Sequence, residues 1–164
     1  MMLRVKEGPA GLFDNQREIN LASTTVMIED VLVELGHFVN ETRADADGAV
    51  RSWRIRKGSA TVRISLLDRA DFTHVRVSSA VMRLDSAVPR VALFTHLLHE
   101  NTELTGAAFA LRGDTVLLQT ERSTLDLDRS EVLDLITRVT TYADEVDDAL
   151  VARYGGELGG ELDV

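Results

Sequence analysis

The sequence predicts an α+β fold, in which three helices accompany a curved antiparallel sheet of five or six strands in the order α-β-β-β-α-β-β-(β)-α. Two long segments, from Ser23 and from Asp128, repeat apolar residues with a helical period. Between them, residues 51–81 alternate apolar and polar side chains as strands do. Residues 91–120 then indicate a helix, a short link and a hairpin. With 164 residues, of which 45% are hydrophobic, the chain is long enough to build one domain around a core.

The N-terminal part is predicted to contain an extension and one helix. Residues 1–22 are expected to be weakly structured, because residues 8–11 (GPAG) form a cluster of helix breakers, and Leu3 and Val5 are candidates for a short edge strand. A helix is predicted from Ser23 onward. Its apolar stripe consists of Ile28, Val31, Leu32, Leu35, Phe38 and Val39. Residues 43–49 are expected to form a loop.

Three strands are predicted next, with turns at residues 57–59 and 68–71. Apolar residues alternate with polar ones through Trp53 and Ile55 in the first strand. The other two strands alternate in the same way through Val62, Ile64 and Leu66 and through Val75, Val77 and Val81. An antiparallel meander of this kind has one apolar face and one polar face. The polar face is basic and is expected to bind a partner through Arg54, Arg56, Arg63 and Arg76.

The central helix is predicted to begin after Pro89, whose missing backbone donor costs little at a helix start. Its apolar stripe consists of Phe94, Leu97 and Leu98, widened by Leu93, whereas His96, His99, Glu100 and Glu103 are placed on the solvent face. A strand through Phe109 follows. Gly113-Asp114 then forms a two-residue hairpin turn into the return strand.

The last helix has the clearest start signal in the chain. Asp128 and Glu131 have the spacing of a capping box, flanked by Leu127 and Val132 as a hydrophobic staple. The stripe runs from Val132 to Leu150, and the polar link before the helix, residues 121–127, has room for one more short strand. Two glycines after the helix are expected to end it, so that residues 23–156 form a single domain and residues 157–164 a disordered tail.

Charge is distributed unevenly along the chain, whose net charge is −9. Residues 43–90 carry ten Lys/Arg against five Asp/Glu, whereas residues 121–164 carry four against twelve. This asymmetry indicates either complementary surfaces, within or between subunits, or two separate solvated faces. There is no cysteine, no apolar run of membrane-spanning length and no signal-peptide pattern, so a cytoplasmic location is expected.

No motif in the sequence predicts catalysis, and no cofactor is expected. There is no Gly-rich phosphate loop, no nucleophile elbow and no zinc-protease motif. His96 and His99 with Glu100 or Glu103 offer two helix-spaced ligands, but a metal site needs a third ligand and often a fourth. Four acidic residues late in the last helix are expected to form a solvated face or a docking face for a basic partner; they are Asp144, Glu145, Asp147 and Asp148. We therefore expect neither an enzyme nor a metal site.

The C-terminal two-thirds of the chain resembles the YbjN-like family, whose fold is that of the class I type III secretion chaperones. The residues that carry the resemblance run from Leu93 to Leu150. The shared pattern is a Leu-rich helix ending near Asn101, a Phe-bearing strand, a Gly-Asp turn, an apolar strand and a long acidic helix. The resemblance extends over about residues 23–154. It implies an acidic, cytoplasmic, often dimeric protein that binds other proteins and catalyses nothing.

Together these observations predict a non-enzymatic protein-binding module, chaperone-like or regulatory, that acts as a homodimer. Three helices compete for one apolar sheet face, and an exposed apolar patch is most often covered by symmetric pairing. The dimer contact is placed at Phe94, Leu97, Leu98 and Phe109. The alternative is a regulator that binds nucleic acid, or a nucleic-acid-binding protein, through the arginine face; few aromatic residues are available for base stacking.

Overall fold

The computed structural model describes residues 10–46, 48–69 and 72–161, and it has the predicted α+β architecture. The helices are α1 (Ala10–Glu34), α2 (Val39–Thr42), α3 (Arg90–Glu103) and α4 (Arg129–Tyr154). The strands are β1 (Arg43–Ala44), β2 (Arg51–Lys57), β3 (Ala60–Asp68), β4 (Thr73–Arg83), β5 (Ala108–Arg112), β6 (Thr115–Ser123) and β7 (Glu157–Leu158).

These seven strands belong to one antiparallel sheet. Six of them follow the order β1-β2-β3-β4-β6-β5, and β7 pairs with β4 outside this order. The meander β2-β3-β4 and the hairpin β5-β6 are as predicted, with Gly113-Asp114 as the turn between Arg112 and Thr115. A register shift between Ala80 and Met82 interrupts the long pairing of β4 with β6, as a β-bulge does. β7 pairs with the end of β4, beyond the reach of β3.

The three long helices pack on one face of the sheet, which we call the inner face. One core cluster joins α1 and the first half of α4 to β2, β3 and β4, with Trp53 and Ile136 among its fully buried members. A second cluster joins α3 and the second half of α4 to β4 and β6. Because α4 contributes to both clusters, its apolar stripe is the continuous element of the core. The arginine-bearing face of the sheet is on the opposite side, which we call the outer face.

The start of α4 follows the prediction. Asp128 accepts a hydrogen bond from the Glu131 backbone N–H at 2.9 Å, and the Glu131 carboxylate accepts one from the Asp128 N–H at 3.0 Å. Leu127 and Val132, the predicted staple, are both buried. The reciprocal bonds satisfy two backbone donors that a helix N-terminus otherwise leaves unpaired.

The N-terminal boundary differs from the prediction, because α1 begins at Ala10 and not at Ser23. The first part of this helix has tertiary partners: Thr124 donates a hydrogen bond to Asn20 Oδ1 at 2.6 Å, and Asn20 Nδ2 donates to the Thr124 carbonyl at 3.2 Å. Hydrogen bonds to the rest of the fold therefore accompany the helix that the breaker cluster did not predict. Residues 1–9, including the candidate edge strand at Leu3 and Val5, lie outside the described residues.

The C-terminal end of α1 also differs from the prediction. The helix ends at Glu34, before Gly36, whose φ of +86° belongs to the left-handed region that favours glycine. Phe38, predicted in the buried stripe, therefore lies beyond the helix and is 74% exposed.

Two short strands were not predicted, and one optional strand does not form. β1 lies in the predicted loop 43–49 and pairs with Trp53 and Ser52 of β2. β7 lies in the predicted disordered tail. The polar link before α4 contains no strand of its own, because β6 continues to Ser123 and a turn follows.

Candidate protein-binding surfaces

The four residues predicted for the dimer contact line one apolar cleft between α3 and β5. The cleft measures about 180 Å³, and its walls are almost entirely apolar; they consist of Phe94, Leu97, Leu98, Asn101, Phe109, Ala110, Leu111 and Val116. β5 is the last strand of the sheet, so the cleft lies at the sheet edge. An ion pair of 2.8 Å between Arg90 and Asp114 fixes the start of α3 to the hairpin turn.

These four residues differ in how deeply they are buried, which the helical stripe did not predict. Leu97 is 5% exposed and belongs to the core, together with Leu93. Phe94 and Phe109 are half-buried, whereas Leu98 is 67% exposed and Leu111 49%. The core side of α3 is therefore the Leu93–Leu97 line, and Leu98 belongs to the open rim of the cleft.

Asn101 closes part of the backbone edge of β5. Its side chain accepts a hydrogen bond from the Phe109 N–H at 2.7 Å and donates one to the Phe109 carbonyl at 3.3 Å. In an antiparallel strand, successive residues direct their backbone groups alternately to the two sides. The Phe109 groups therefore point away from β6, and Asn101 occupies the place that a neighbouring strand would take.

His96 is not on the solvent face where the sequence analysis placed it. It is half-buried, its Nδ1 lies 2.6 Å from the Tyr154 hydroxyl, and the two rings stack at a tilt with centroids 5.6 Å apart. The contact joins α3 to the last residue of α4. His99, Glu100 and Glu103 are exposed as predicted. Among the residues that the structure describes, no three His, Asp or Glu side chains converge as metal ligands.

The outer face carries the four predicted arginines, and three of them already have intramolecular partners. Arg54 forms an ion pair of 2.8 Å with Glu161. Arg63 donates to the Asp45 carbonyl. Arg76 Nε donates to Glu121 at 2.8 Å, across the β4–β6 pairing. Arg56 is exposed near the edge of the sheet.

Glu121 is the acidic centre of this otherwise basic face. It also accepts two hydrogen bonds from Arg69, at 2.9 and 3.0 Å. Partial burial opposes ionisation of Glu121, but the hydrogen bonds and charges of Arg76 and Arg69 outweigh it and lower its pKa below the ordinary value. The carboxylate therefore stays ionised and neutralises part of the arginine cluster.

A second apolar surface, on α1, was missed by the sequence analysis. Ile19, Val26 and Val33 recur every seven residues and are 62%, 58% and 60% exposed. The opposite side of α1 carries the buried residues Ile28 and Leu32. The signal was present in the sequence as three apolar residues spaced seven apart, which a helix places along one side about two turns from one another.

Asp147 is a buried acid within the acidic segment that was predicted to be solvated. It is 3% exposed and accepts hydrogen bonds from the Ser59 hydroxyl at 3.0 Å and from the Asp148 N–H at 2.7 Å. Burial raises the pKa of Asp147, and the neighbouring charges of Asp148 and Asp144 add to that rise. This side chain fastens α4 to the β2–β3 turn.

No helix in the described part of the chain combines the length and the hydropathy that crossing a membrane requires. Among curated proteins, none matches the chain in sequence.

Solved structures with the same fold include three complexes, and in each case the chain compared is covered almost completely. The HopA1–SchA chaperone–effector complex matches at 10% identity and a TM-score of 0.55, covering 80% of this chain and 97% of that chain. The ExsC–ExsE complex matches at 12% identity and 0.56, covering 79% and 94%. The heterodimeric ExoU–SpcU complex from the type III secretion system of Pseudomonas aeruginosa matches at 16% and 0.53, covering 77% and 97%. At these identities the likeness establishes the fold.

A family model described as "T3SS (YopN, CesT) and YbjN peptide-binding chaperone 1" matches residues 22–159. The match covers α3, both hairpin strands, the meander, α4 and the part of α1 from residue 22 onward. The resemblance, which residues 93–150 carry and which was expected over about residues 23–154, is thereby confirmed. The chain belongs to this family of type III secretion and YbjN peptide-binding chaperones.

Proposed function

We propose that this protein is a non-enzymatic, cytoplasmic, chaperone-like module that acts as a homodimer and binds a segment of a partner protein. The proposal rests on the family assignment and, above all, on one observation: an apolar cleft lies open at the β5 edge of the sheet. Exposed apolar surfaces of this kind often mark the sites at which proteins bind other proteins.

The occupant that fits the cleft is a second copy of the chain. Two exposed leucines, Leu98 on α3 and Leu111 on β5, lie at the cleft. Two copies related by a twofold axis can therefore each insert a leucine side chain into the other's cleft. Asn101 blocks backbone pairing at Phe109, so the contact is made by side chains. The three long helices all pack on the inner face, and within residues 10–46, 48–69 and 72–161 no further element covers the cleft.

The surface proposed for the partner segment is the outward stripe of α1. It lies on a different helix from the cleft, and it consists of Ile19, Val26 and Val33, which lie about two turns apart on the exposed side of α1. A peptide with apolar residues at regular spacing matches such a strip. Partner binding and dimerisation therefore use separate surfaces in this proposal.

Binding of nucleic acid has less support. Three of the four outer-face arginines already bind groups of the same chain: Arg54 pairs with Glu161, Arg63 with the Asp45 carbonyl and Arg76 with Glu121. Contacts to phosphate need arginines that are available to the ligand.

The homodimer is tested by sedimentation equilibrium at micromolar concentration, where the wild-type protein is expected at twice the chain mass of 18.1 kDa. Leu98→Glu places a charge on the rim of the cleft and is expected to give the single-chain mass. Because Leu98 is exposed, this variant keeps its fold, unlike a charge at the buried Leu97. A wild-type mass near 18.1 kDa would refute the homodimer.

Val26→Glu is the matched control, since it introduces the same charge at a similarly exposed apolar residue on α1. We expect this variant to remain dimeric but to lose partner segments when binding is measured on an array of overlapping peptides. If Val26→Glu abolishes the dimer and Leu98→Glu does not, the two surfaces have been assigned the wrong way round. Equal peptide binding by wild type and Val26→Glu would remove α1 as the partner surface.

A further inference from the structure

The segment after α4 does not leave the domain but turns back onto the sheet. Glu157 and Leu158 form β7 and pair with Arg83 and Met82 at the end of β4. The chain then crosses the outer face, because Glu161 reaches Arg54 on β2 at 2.8 Å. A segment of the protein's own chain therefore lies across the face that carries the arginines.

Two glycines make this path possible. A Cβ atom at Gly159 would lie 2.1 Å from the Ala80 carbonyl oxygen, and one at Gly156 would lie 2.5 Å from the Arg83 carbonyl oxygen. Real Cβ atoms do not approach backbone so closely, so only glycine permits the contact at these two positions. The sequence has the pattern GGEL twice, over residues 155–158 and 159–162, which places a glutamate after each glycine pair.

The charges on the two sides of this contact are complementary. The segment from residue 155 to the C-terminus carries three Asp/Glu and no Lys/Arg, whereas the outer face carries Arg54, Arg56, Arg63 and Arg76. The interactions that attach this segment to the sheet are nevertheless weak. β7 has only two residues, both of them exposed, and the Arg54–Glu161 ion pair is also exposed. Exposed ion pairs contribute less than about 1 kcal/mol each in typical measurements.

We propose that the GGEL segment is an exchangeable occupant of the outer face, and that an extended acidic peptide of a partner protein binds there when the segment leaves. This inference deepens the proposed protein-binding function by naming the chemistry of one partner, and it uses neither the cleft nor the α1 stripe. The site consists of the β4 backbone near Ala80, which accepts a glycine-containing strand, and of Arg54, which binds a carboxylate.

The test uses the full-length protein and a fluorescent peptide, GGELGGELDV, that copies residues 155–164. A tethered segment competes at an effective concentration of about 1 mM, so the wild-type protein is expected to bind the free peptide weakly. Gly159→Val places a side chain against Ala80 and expels the segment, and peptide affinity measured by fluorescence anisotropy is expected to rise on the order of tenfold. Adding Arg54→Glu to Gly159→Val is expected to abolish the gain.

A second measurement keeps the test decisive if Gly159→Val does not fold. Hydrogen exchange of the wild-type protein is expected to be much faster at the amides of Glu157 and Leu158 than at those of β4. Glu161→Lys, which removes the ion pair without touching the core, is expected to raise peptide affinity in the same direction. Exchange of β7 as slow as that of β4 would show a permanent strand and overturn the proposal.

Two further outcomes also count against the inference. The first is binding of a peptide in which lysine replaces both glutamates. The Gly159→Val protein is expected not to bind this peptide, because the arginines select an acidic ligand. If a single-stranded DNA oligonucleotide binds the opened face more tightly than the acidic peptide does, the face recognises nucleic acid and not protein. If the peptide-binding test fails while the protein is a homodimer, the proposed function is unaffected. Only the proposal that a partner peptide replaces the GGEL segment on the outer face is then refuted.

Discussion

The buried carboxylate of Asp147 leads to a prediction about how stability depends on pH. The side chain is 3% exposed, and its pKa is raised above the ordinary 3.8 because burial and the charges of Asp148 and Asp144 outweigh its two hydrogen bonds. A raised folded-state pKa means that the stabilising contribution is fully present below the ordinary pKa and is lost as the pH rises through the folded-state value. At neutral pH the ionised Asp147 therefore lowers the free energy of unfolding.

Asp147→Asn is expected to recover that loss. The amide oxygen can still accept the hydrogen bonds of the Ser59 hydroxyl and the Asp148 N–H, whereas the desolvated charge is gone. Each of these bonds weakens when its acceptor becomes neutral, but the burial and the neighbouring charges that raise the pKa of Asp147 outweigh the bonds, so removing the charge is a net gain. We expect a net gain of about 1 kcal/mol at pH 8, which corresponds to roughly 2–4 °C in Tm for a domain of this size.

The assay is thermal unfolding of wild type and variant from pH 4 to pH 8. The difference in Tm should be near zero at the acid end and grow as the pH rises. Asp148→Asn is the matched control, because it removes the same charge from an exposed neighbour. If Asp148→Asn stabilises the protein as much, the effect comes from the net charge of −9 and not from burial. A Tm of Asp147→Asn below wild type across the whole range would refute the reasoning.

The other predictions concern α4. Asp128→Ala removes the acceptor of the Glu131 N–H and should lower the free energy of unfolding by about 1 kcal/mol, with Asp128→Ser restoring most of it in urea denaturation. Val139→Asp places a carboxylate at a fully buried position and should cost several kcal/mol. Thermal melting within a degree or two of wild type would show that Val139 does not face the core.

The order of the main elements was predictable from the sequence because each had a strong local signal. Alternation identified β2, β3 and β4, the Gly-Asp pair identified the β5–β6 turn, and the capping box fixed the start of α4. The four residues assigned to the dimer contact also proved to be neighbours, since a helix stripe and the strand after it meet wherever the two pack together. Whether two copies meet there remains a prediction.

What the sequence did not predict depends on distant contacts. The apolar stripe of α3 does not say which of its two sides faces the core, so Leu98 was grouped with the buried Leu97. His96 was placed on the solvent face, although Tyr154 lies against it. Asp147 is buried because the β2–β3 turn covers it, and nothing near it in sequence announces this.

The ends of the fold were misjudged for a related reason. Breaker clusters and glycine pairs indicate disorder when no partner is known. At α1 the partner is Thr124, and at β7 it is the end of β4. In both cases the stabilising contact joins residues far apart in the chain, and composition alone contains no information about it.

The amide of Asn101 has a consequence for how large an assembly of this protein can become. An exposed edge strand is a template on which further strands add, copy after copy, until a fibre forms. Because Asn101 holds the outward N–H and carbonyl of Phe109, that growth is stopped at the middle of β5. In the proposed homodimer, contact through the neighbouring cleft would use up the surface that makes it, so that two copies would complete each other and leave no free end for a third.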